Sequence, residues 1–233
     1  MKIGFYGGSF DPPHRGHIAL ARLAMQRIGL GRVLFAPVGV QPLKRDRPQA
    51  DFADRVAMTE LAIANELQME VSTLDAPHAD GSPNYTIDTI TALRASRGWA
   101  DRVFCLMGAD SFLSIGRWHR SVDLLRLCSL VVAARPGFLL DEIESALPEG
   151  VSAGPCDPPM PADRLLCLFA GGRLVTRVHL LPDLAENVSA SDIRAALQTG
   201  ADESAVLNPR VAAYIREHGL YRQAPDAPDA VPA

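Results

Sequence analysis

Apolar residues in the first two thirds of the chain form two alternating kinds of run. Short, nearly continuous runs occur at residues 2–6, 33–37, 102–107 and 129–134, each flanked by glycine, proline or polar residues. Such runs lack a polar face, which is the pattern of strands buried on both sides. Between them lie longer stretches with helical spacing. In residues 17–28, Leu20, Ala24 and Ile28 share one face, with Ala21 and Met25 beside them. Residues 51–66 carry Val56, Leu61 and Ile63 among their apolar positions, and residues 86–97 complete a third helix. A weak strand is expected at 70–73, a short helix at 141–147 and a last strand at 178–181. Strand alternating with helix predicts an α/β architecture: a Rossmann-like, doubly wound parallel sheet with helices on both faces. A small C-terminal helical region follows. In such sheets the ligand sits outside the carboxyl ends of the strands, where strand order reverses.

Two stretches break the rhythm. Residues 150–163 contain Pro155, Pro158, Pro159 and Pro161, which exclude regular helix or central strand and predict a surface excursion, so 150–173 is read as a proline-rich excursion of the domain. The tail, 224–233, is rich in Pro, Ala and Asp without a periodic face and is expected to be disordered. Residues 1–223 are therefore read as one domain.

Composition narrows the class. A chain of 233 residues that is 48% apolar supports one well-buried core and is short for two domains. A net charge of -4 does not suggest a basic nucleic-acid surface, although it leaves room for a local patch. The apolar stretch at the N-terminus is too short for a signal peptide, and no later run would span a bilayer. The expectation is a cytoplasmic protein without membrane or nucleic-acid partners; the sequence does not set its oligomeric state. Cys105, Cys128, Cys156 and Cys167 form no C-x-x-C pair and are read as buried reduced thiols in preference to disulfides or zinc ligands.

The first strand runs into Gly7-Gly8-Ser9-Phe10-Asp11-Pro12-Pro13-His14-Arg15-Gly16-His17 and then a helix. Glycines let backbone approach a ligand closely. A helix N-terminus presents free N–H groups and the positive end of a dipole, which favour phosphate. His14 and His17 sit where they would donate to phosphate oxygens. The alternative is that the glycines and prolines only shape a turn. The loop is neither the dinucleotide fingerprint nor a Walker motif. A zinc site is weakly supported, since Asp11 alone joins the two histidines.

Gly7 to His17 resembles the G-G-[ST]-F-D-P-x-H-x-G-H signature of the bacterial nicotinate-nucleotide adenylyltransferases, a family of the H-x-G-H nucleotidylyltransferase superfamily. The resemblance implies a dinucleotide-binding sheet, transfer of AMP from ATP to nicotinate mononucleotide in NAD biosynthesis, histidines on the ATP phosphates, and Mg²⁺ carried with ATP instead of a permanent metal site. By resemblance, Gly7, Gly8, Ser9, Phe10, His14 and His17 bind ATP, and His14 and His17 with Lys44 form the catalytic set. Residues 188–194, Val-Ser-Ala-Ser-Asp-Ile-Arg, resemble the second signature, in which serine and arginine grip the triphosphate. That adds Ser189, Ser191 and Arg194; alone, the segment reads as an ordinary capped helix. Gly108 and Asp110 follow the fourth strand and resemble G-x-D-[SA], on the side of ATP and, for Asp110, of the mononucleotide.

The mononucleotide side rests on further resemblances. Pro83-Asn84-Tyr85-Thr86-Ile87-Asp88-Thr89 resembles P-S-Y-T-x-D-T, whose helix-start amides receive the nicotinate carboxylate; otherwise Thr86 is a candidate N-cap. Trp118, followed by His119, is placed under the pyridine ring, against the plainer reading of a core tryptophan. Arg135, in Arg135-Pro136-Gly137, resembles R-P-G and is a candidate for the substrate phosphate or for a surface salt bridge. Many relatives have P-H-K where this chain has Pro42-Leu43-Lys44, so a histidine is replaced by Leu43; Arg45 and Arg47 make the same loop cationic. The segment from Asn208 to Tyr221 resembles the family's closing helix and is read as packing. Rival readings are the same chemistry on nicotinamide mononucleotide or pantetheine phosphate, and a non-catalytic nucleotide-binding regulator.

Overall fold

In the computed structural model, residues 1–43, 48–96, 102–133, 140–157, 165–182, 184, 188–199 and 205–222 are described, 140 and 141 by their backbone alone. Lys44, Arg45, Arg47, Arg135 and the 224–233 tail lie outside the described residues.

The apolar runs form the expected strands: β1 (Lys2–Gly8), β2 (Arg32–Pro37), β3 (Met69–Val71), β4 (Arg102–Gly108) and β5 (Ser129–Ala133). Three more follow, β6 (Val151–Gly154), β7 (Leu165–Ala170) and β8 (Arg173–Leu181). They build one sheet in the order β3-β2-β1-β4-β5-β8-β7-β6. β1 to β5 and β8 pair in parallel, whereas β7 pairs antiparallel with β8 and β6 with β7. The helices are α1 (Arg15–Ala24), α2 (Phe52–Ile63), α3 (Thr86–Ser96), α4 (Ala109–Phe112), α5 (Ser121–Leu127), α6 (Leu140–Ala146), α7 (Ala190–Gln198) and α8 (Pro209–Glu217).

Apolar residues on both sides of the central strands give two cores. On one side Leu20, Ala21 and Ala24 of α1 pack on Tyr6, Val33, Phe35, Phe104 and Leu106. On the other, Ile87, Ile90 and Leu93 of α3, with Leu124 and Leu125 of α5, pack on Ile3, Phe5, Val103 and Cys105. A third cluster joins Met58 and Ala62 of α2 to Ile193 of α7 and Val211 and Ile215 of α8, which is the expected C-terminal helical region.

Several expectations need correction. Part of the 150–173 region is sheet: β6 and β7 form an antiparallel edge, and β8 starts well before residue 178. β6 has no buried residue, as an edge strand allows, whereas β7 is an apolar run, Leu-Leu-Cys-Leu-Phe-Ala, that follows directly on the proline-rich stretch. Cys156 and Cys167 are disulfide-bonded, not reduced, with Cα atoms 5.1 Å apart. The pairing of Gly154 with Cys167 across β6 and β7 brings the two together, a proximity the linear spacing hides. Cys105 and Cys128 are buried free thiols, as expected. The first helix begins at Arg15, and a π-helical turn, Met25–Gly29, closes it; the Lys2 ammonium donates to the Ile28 carbonyl there at 2.7 Å. Thr86 is the first residue of α3 and not its cap. α4 and α5 were not anticipated, being too short for periodicity to reveal.

The topology fixes the place of the site. From β1 the chain steps outward through β2 to β3, then crosses back to the other side of β1 for β4 and β5. Lys2 faces Arg102 and Phe5 faces Cys105, so β1 and β4 run level and both end at the same sheet edge, in Gly8 and Gly108. The order reverses between these two strands, where such sheets bind ligands.

The loop after β2 is laced to the approach to α3. Gly39 N–H donates to the Asp75 carbonyl at 2.7 Å, and Val40 N–H to Asn84 Oδ1 at 2.8 Å. Asn84 Nδ2 donates to the Ala76 carbonyl at 2.8 Å, and the Thr89 hydroxyl to the buried Asp75 carboxylate at 2.6 Å. A Cβ on Gly39 would lie 2.5 Å from Pro77 Cα and 2.6 Å from Asn84 Oδ1. Backbone cannot yield cheaply, so Gly39→Ala is expected to cost about 1–3 kcal/mol of stability. Urea midpoints of the variant and parent measure this, and equal midpoints would contradict the close approach.

Candidate active site

The loop between β1 and α1 is held from below by buried polar groups. Gly8 admits it because a Cβ there would come within 3.2 Å of the Phe10 ring. Phe10 has a positive φ of 48°, and its buried ring packs between Tyr6, His17 and Phe35. Of the proposed ATP contacts, Phe10 can therefore offer only its backbone. Asp11 is 3% exposed and precedes a cis proline, Pro12. Its carboxylate accepts from Gln49 N–H at 2.8 Å, Ala50 N–H at 3.1 Å and the Tyr221 hydroxyl at 2.8 Å. Burial, and then Asp11, push the Tyr221 phenol pKa up, so it remains a donor. Arg55, 2% exposed, donates to the Ser9 carbonyl at 2.8 Å and the Ala50 carbonyl at 3.3 Å. Burial pulls its pKa down, and the field of Asp11 opposes that.

The second signature meets the first in space. Arg194 Nη1 donates to the Asp11 carbonyl at 2.8 Å and lies 3.8 Å from its carboxylate. Its other terminal nitrogen reaches Ser191 Oγ at 3.3 Å. Ser189 is the N-cap of α7, accepting from Ser191 N–H at 3.2 Å and Asp192 N–H at 3.4 Å. Its hydroxyl oxygen is thus engaged in the helix start. Arg194, on the following turn, is the group that reaches the loop.

The two histidines form the start of α1. His14 is its N-cap, and its N–H donates to His17 Nδ1 at 3.1 Å. An accepting Nδ1 leaves the His17 ring proton on Nε2, where it is a donor. The rings lie 3.7 Å apart, centroid to centroid. His14 is 7% exposed, and burial lowers its pKa to about 4. Among the described residues its Nδ1 and Arg194 Nε are buried without a hydrogen-bond partner. Polar nitrogens left unpaired beside a helix N-terminus suit an anion.

Across the edge, Gly108 ends β4 and Asp110 stands exposed in the first turn of α4. Among the described residues, a Cβ at Gly108 would meet nothing within 4 Å. The Tyr85 ring lies 4.3 Å from the exposed His119 ring, centroid to centroid, tilted by 31°. Trp118 is half-buried against the α3-side core, and its Nε1 donates to Ser114 Oγ at 2.9 Å. Thr86 and Ile87, in the first turn of α3, have no carbonyl four residues back within that helix. Sequence reasoning missed Arg55, Asp75, Asn84 and the role of Tyr221, and gave Asp11 only a weak zinc role. Asp11 is instead the anchor of the loop, and only folding brings its partners together.

With this geometry in place, the comparisons define first a class and then a family. The family model described as cytidylyltransferase-like matches residues 5–196. A protein of Pelobacter propionicus named "Probable nicotinate-nucleotide adenylyltransferase" is 37% identical over 225 residues, covering 97% of this chain and 100% of that one. One of the same name from Pectobacterium atrosepticum is 36% identical, covering 94% and 97%. The fold is that of Plasmodium falciparum nicotinic acid mononucleotide adenylyltransferase complexed with NaAD, with a TM-score of 0.67 at 17% identity, covering 94% of this chain and 97% of that one. The chain belongs to the cytidylyltransferase-like class and, within it, to the nicotinate-nucleotide adenylyltransferase family. Among the described residues no helix is long and apolar enough to cross a membrane.

The pKa of His14 carries a prediction. The unfolded chain holds this imidazole near pKa 6.5 and the folded one near 4. Above about pH 6.5 neither state binds the proton, and stability is full. As pH falls from about 6.5 towards 4, the unfolded state gains a proton that the folded state refuses, and stability drops by up to about 1.4 kcal/mol per pH unit. His179, lowered in the same way, adds a second such loss. Denaturant midpoints at pH 5 and pH 7 should differ less in His14→Gln than in the parent. An unchanged difference would show that His14 titrates normally.

Proposed function

We propose that the protein transfers the adenylyl group of ATP to nicotinate mononucleotide, giving nicotinate adenine dinucleotide and pyrophosphate, a step of NAD biosynthesis. The observation that carries this reading is the meeting of Arg194, His14 and His17 at one helix start on the switch-point edge. The relatives' names supply the acceptor.

In this reaction a phosphate oxygen of the mononucleotide attacks the α-phosphorus of ATP. A new O–P bond forms, the bond from the α-phosphorus to the bridging oxygen breaks, and pyrophosphate leaves with the electron pair. The attacking phosphate is already ionised at neutral pH, so no general base is required. The protein aligns the three groups and offsets charge growing on the oxygens. His17 Nε2–H, the His14 ring, the amides of Gly8, Ser9 and the α1 start, and Arg194 are the donors we assign to this task. Ser191 helps orient Arg194, and Lys44 would join from the loop after β2. The converging donor set is nitrogen, which suits phosphate oxygen; Mg²⁺ is better held by carboxylate, phosphate and water. Mg²⁺ would therefore arrive on the ATP phosphates and neutralise part of their charge.

For the mononucleotide, the N–H groups of Thr86 and Ile87 would receive the nicotinate carboxylate, with Tyr85, Trp118 and His119 bounding the ring. Asp110 would bind ribose hydroxyls and Arg135 the substrate phosphate. A carboxylate gains charge-assisted bonds from such amides, whereas a carboxamide turns an N–H₂ group towards N–H donors.

Pyrophosphate release from ATP offered with each mononucleotide tests the assignment. Turnover with nicotinate mononucleotide should cease in excess chelator and fall by roughly 100-fold or more in His17→Ala with the fold intact. A folded His17→Ala with parental turnover would remove His17 from the site.

Acceptor choice is tested separately. Nicotinate mononucleotide should exceed nicotinamide mononucleotide by at least about tenfold in kcat/KM. Trp118→Ala should weaken both acceptors while keeping most of that ratio. Equal use of the two by the parent would exclude a carboxylate site at α3. A ratio lost only in Trp118→Ala would assign specificity to the tryptophan.

A further inference from the structure

Two side chains fasten the start of α3 to the segments that pack on it. Asn84 is 5% exposed and stands two positions before Thr86. It pairs with Val40 in both directions: its N–H donates to the Val40 carbonyl at 2.9 Å, and its Oδ1 accepts from Val40 N–H at 2.8 Å. Its Nδ2 donates to the Ala76 carbonyl at 2.8 Å. One planar amide thus joins three stretches of chain, which requires a donor and an acceptor on the same short side chain. Within the first turn of the helix, Thr89 makes the second tie. Its hydroxyl donates to the Asp75 carboxylate at 2.6 Å, while the Asp75 carbonyl accepts from Gly39 N–H at 2.7 Å. Both ties therefore end on the loop after β2, one directly at Val40 and one through Asp75 at Gly39.

These ties bear on the helix-start amides. Tyr85 precedes α3, and a tyrosine side chain is not one that caps a helix. The Asp88 and Thr89 N–H groups donate to the Tyr85 carbonyl at 2.9 and 3.3 Å, so those of Thr86 and Ile87 come before the first bond of the helix. The path of residues 84–89 fixes the direction of these two groups. Asn84 holds that path before the helix, and Thr89 holds it within the first turn. A hydrogen bond weakens as its geometry degrades, and a bond to a charged group has more to lose. A rotated helix start therefore costs a carboxylate more than a neutral carboxamide.

We propose that Asn84 and Thr89 are positioning residues for acceptor choice: through the backbone of residues 84–89 they aim the Thr86 and Ile87 N–H groups at the acceptor's ring carboxylate. Neither side chain is assigned a contact with the acceptor. The inference deepens the reaction proposed above and rests on it. It also separates two tasks. Trp118 would bound the ring whatever its substituent, whereas Asn84 and Thr89 act on the substituent alone.

The test is the ratio of kcat/KM for nicotinate mononucleotide to that for nicotinamide mononucleotide, measured at saturating ATP and at a temperature where circular dichroism shows each variant folded. This ratio does not depend on the amount of active protein, so a loss of stability alone leaves it unchanged. Asn84→Ala and Thr89→Val should each lower it by at least about threefold, chiefly through the nicotinate value. Thr89→Ser keeps the hydroxyl and should keep the parental ratio. Thr89→Val is nearly isosteric, so it decides the matter where Asn84→Ala does not fold. A parental ratio in either folded variant overturns the proposal, as does a ratio lowered equally in Thr89→Ser. Equal use of both acceptors by the parent overturns the assigned carboxylate site and the proposal together. A parental preference that survives both substitutions overturns the proposal alone.

Discussion

Asp11 is a carboxylate almost wholly removed from water, and the architecture of the loop around it follows from that burial. A buried carboxylate is tolerable only where donors replace its hydration. Here they come from far apart in the sequence: two backbone N–H groups at Gln49 and Ala50, and a hydroxyl at Tyr221. Arg194 adds positive charge at 3.8 Å and binds the Asp11 carbonyl. These partners come from three segments, so satisfying one charge assembles the entry to α2, α7 and the stretch after α8 around the turn after β1. Arg55 completes the arrangement from beneath by holding the Ser9 and Ala50 carbonyls. A loop fixed by so many long-range bonds need not reorganise when charge develops near it, which is what electrostatic stabilisation of a transition state requires.

The same constraint bears on His14. Packed against His17 and largely out of water, its imidazole is neutral in the free protein at neutral pH. A neutral ring offers one donor and one acceptor. An incoming phosphate would raise its pKa again, because an adjacent anion favours the charged form. On the reading proposed here, His14 therefore gains positive charge most readily when the ligand carries most negative charge. The His14 N–H bond to His17 Nδ1 performs a complementary task by keeping the His17 proton on Nε2.

The sequence made the parallel part of the fold legible because strands such as β4 and β5 are buried on both faces and read as unbroken apolar runs. It made His14, His17 and Arg194 legible because they sit in short motifs with fixed local spacing. β6 is hard to read because no residue of this edge strand is buried, and β7, an apolar run with Leu166, Cys167 and Leu168 buried, because it follows directly on a proline-rich stretch. The Cys156–Cys167 bond escaped with them, since it depends on their pairing. Arg55 looked like one more charged residue in an amphipathic helix, because its burial depends on Ser9 and Asp11, more than forty positions earlier (residue 55 against 9 and 11). The binding motifs are local in sequence, whereas the groups that hold them still are not.

That separation also explains how one sheet edge could serve two chemically different ligand ends. On the β1 side the groups are a guanidinium, imidazoles and helix-start amides, which on the reading proposed here would meet phosphate by charge and hydrogen bonding. On the β4 side the Tyr85 and His119 rings lie against each other at a tilt, and half-buried Trp118 rests on the core below. Such surfaces recognise a flat heterocycle by area and leave charge discrimination to a few amides. The two sets are anchored independently: the first on Asp11, the second on the lacing of Asn84 and Asp75 to the loop after β2. Because β1 and β4 run level and end together, these independent anchors still deliver their groups to a common edge. On the proposed reading, the relative placement of donor phosphate and acceptor would thus follow from strand register, and the loops would choose the ligands.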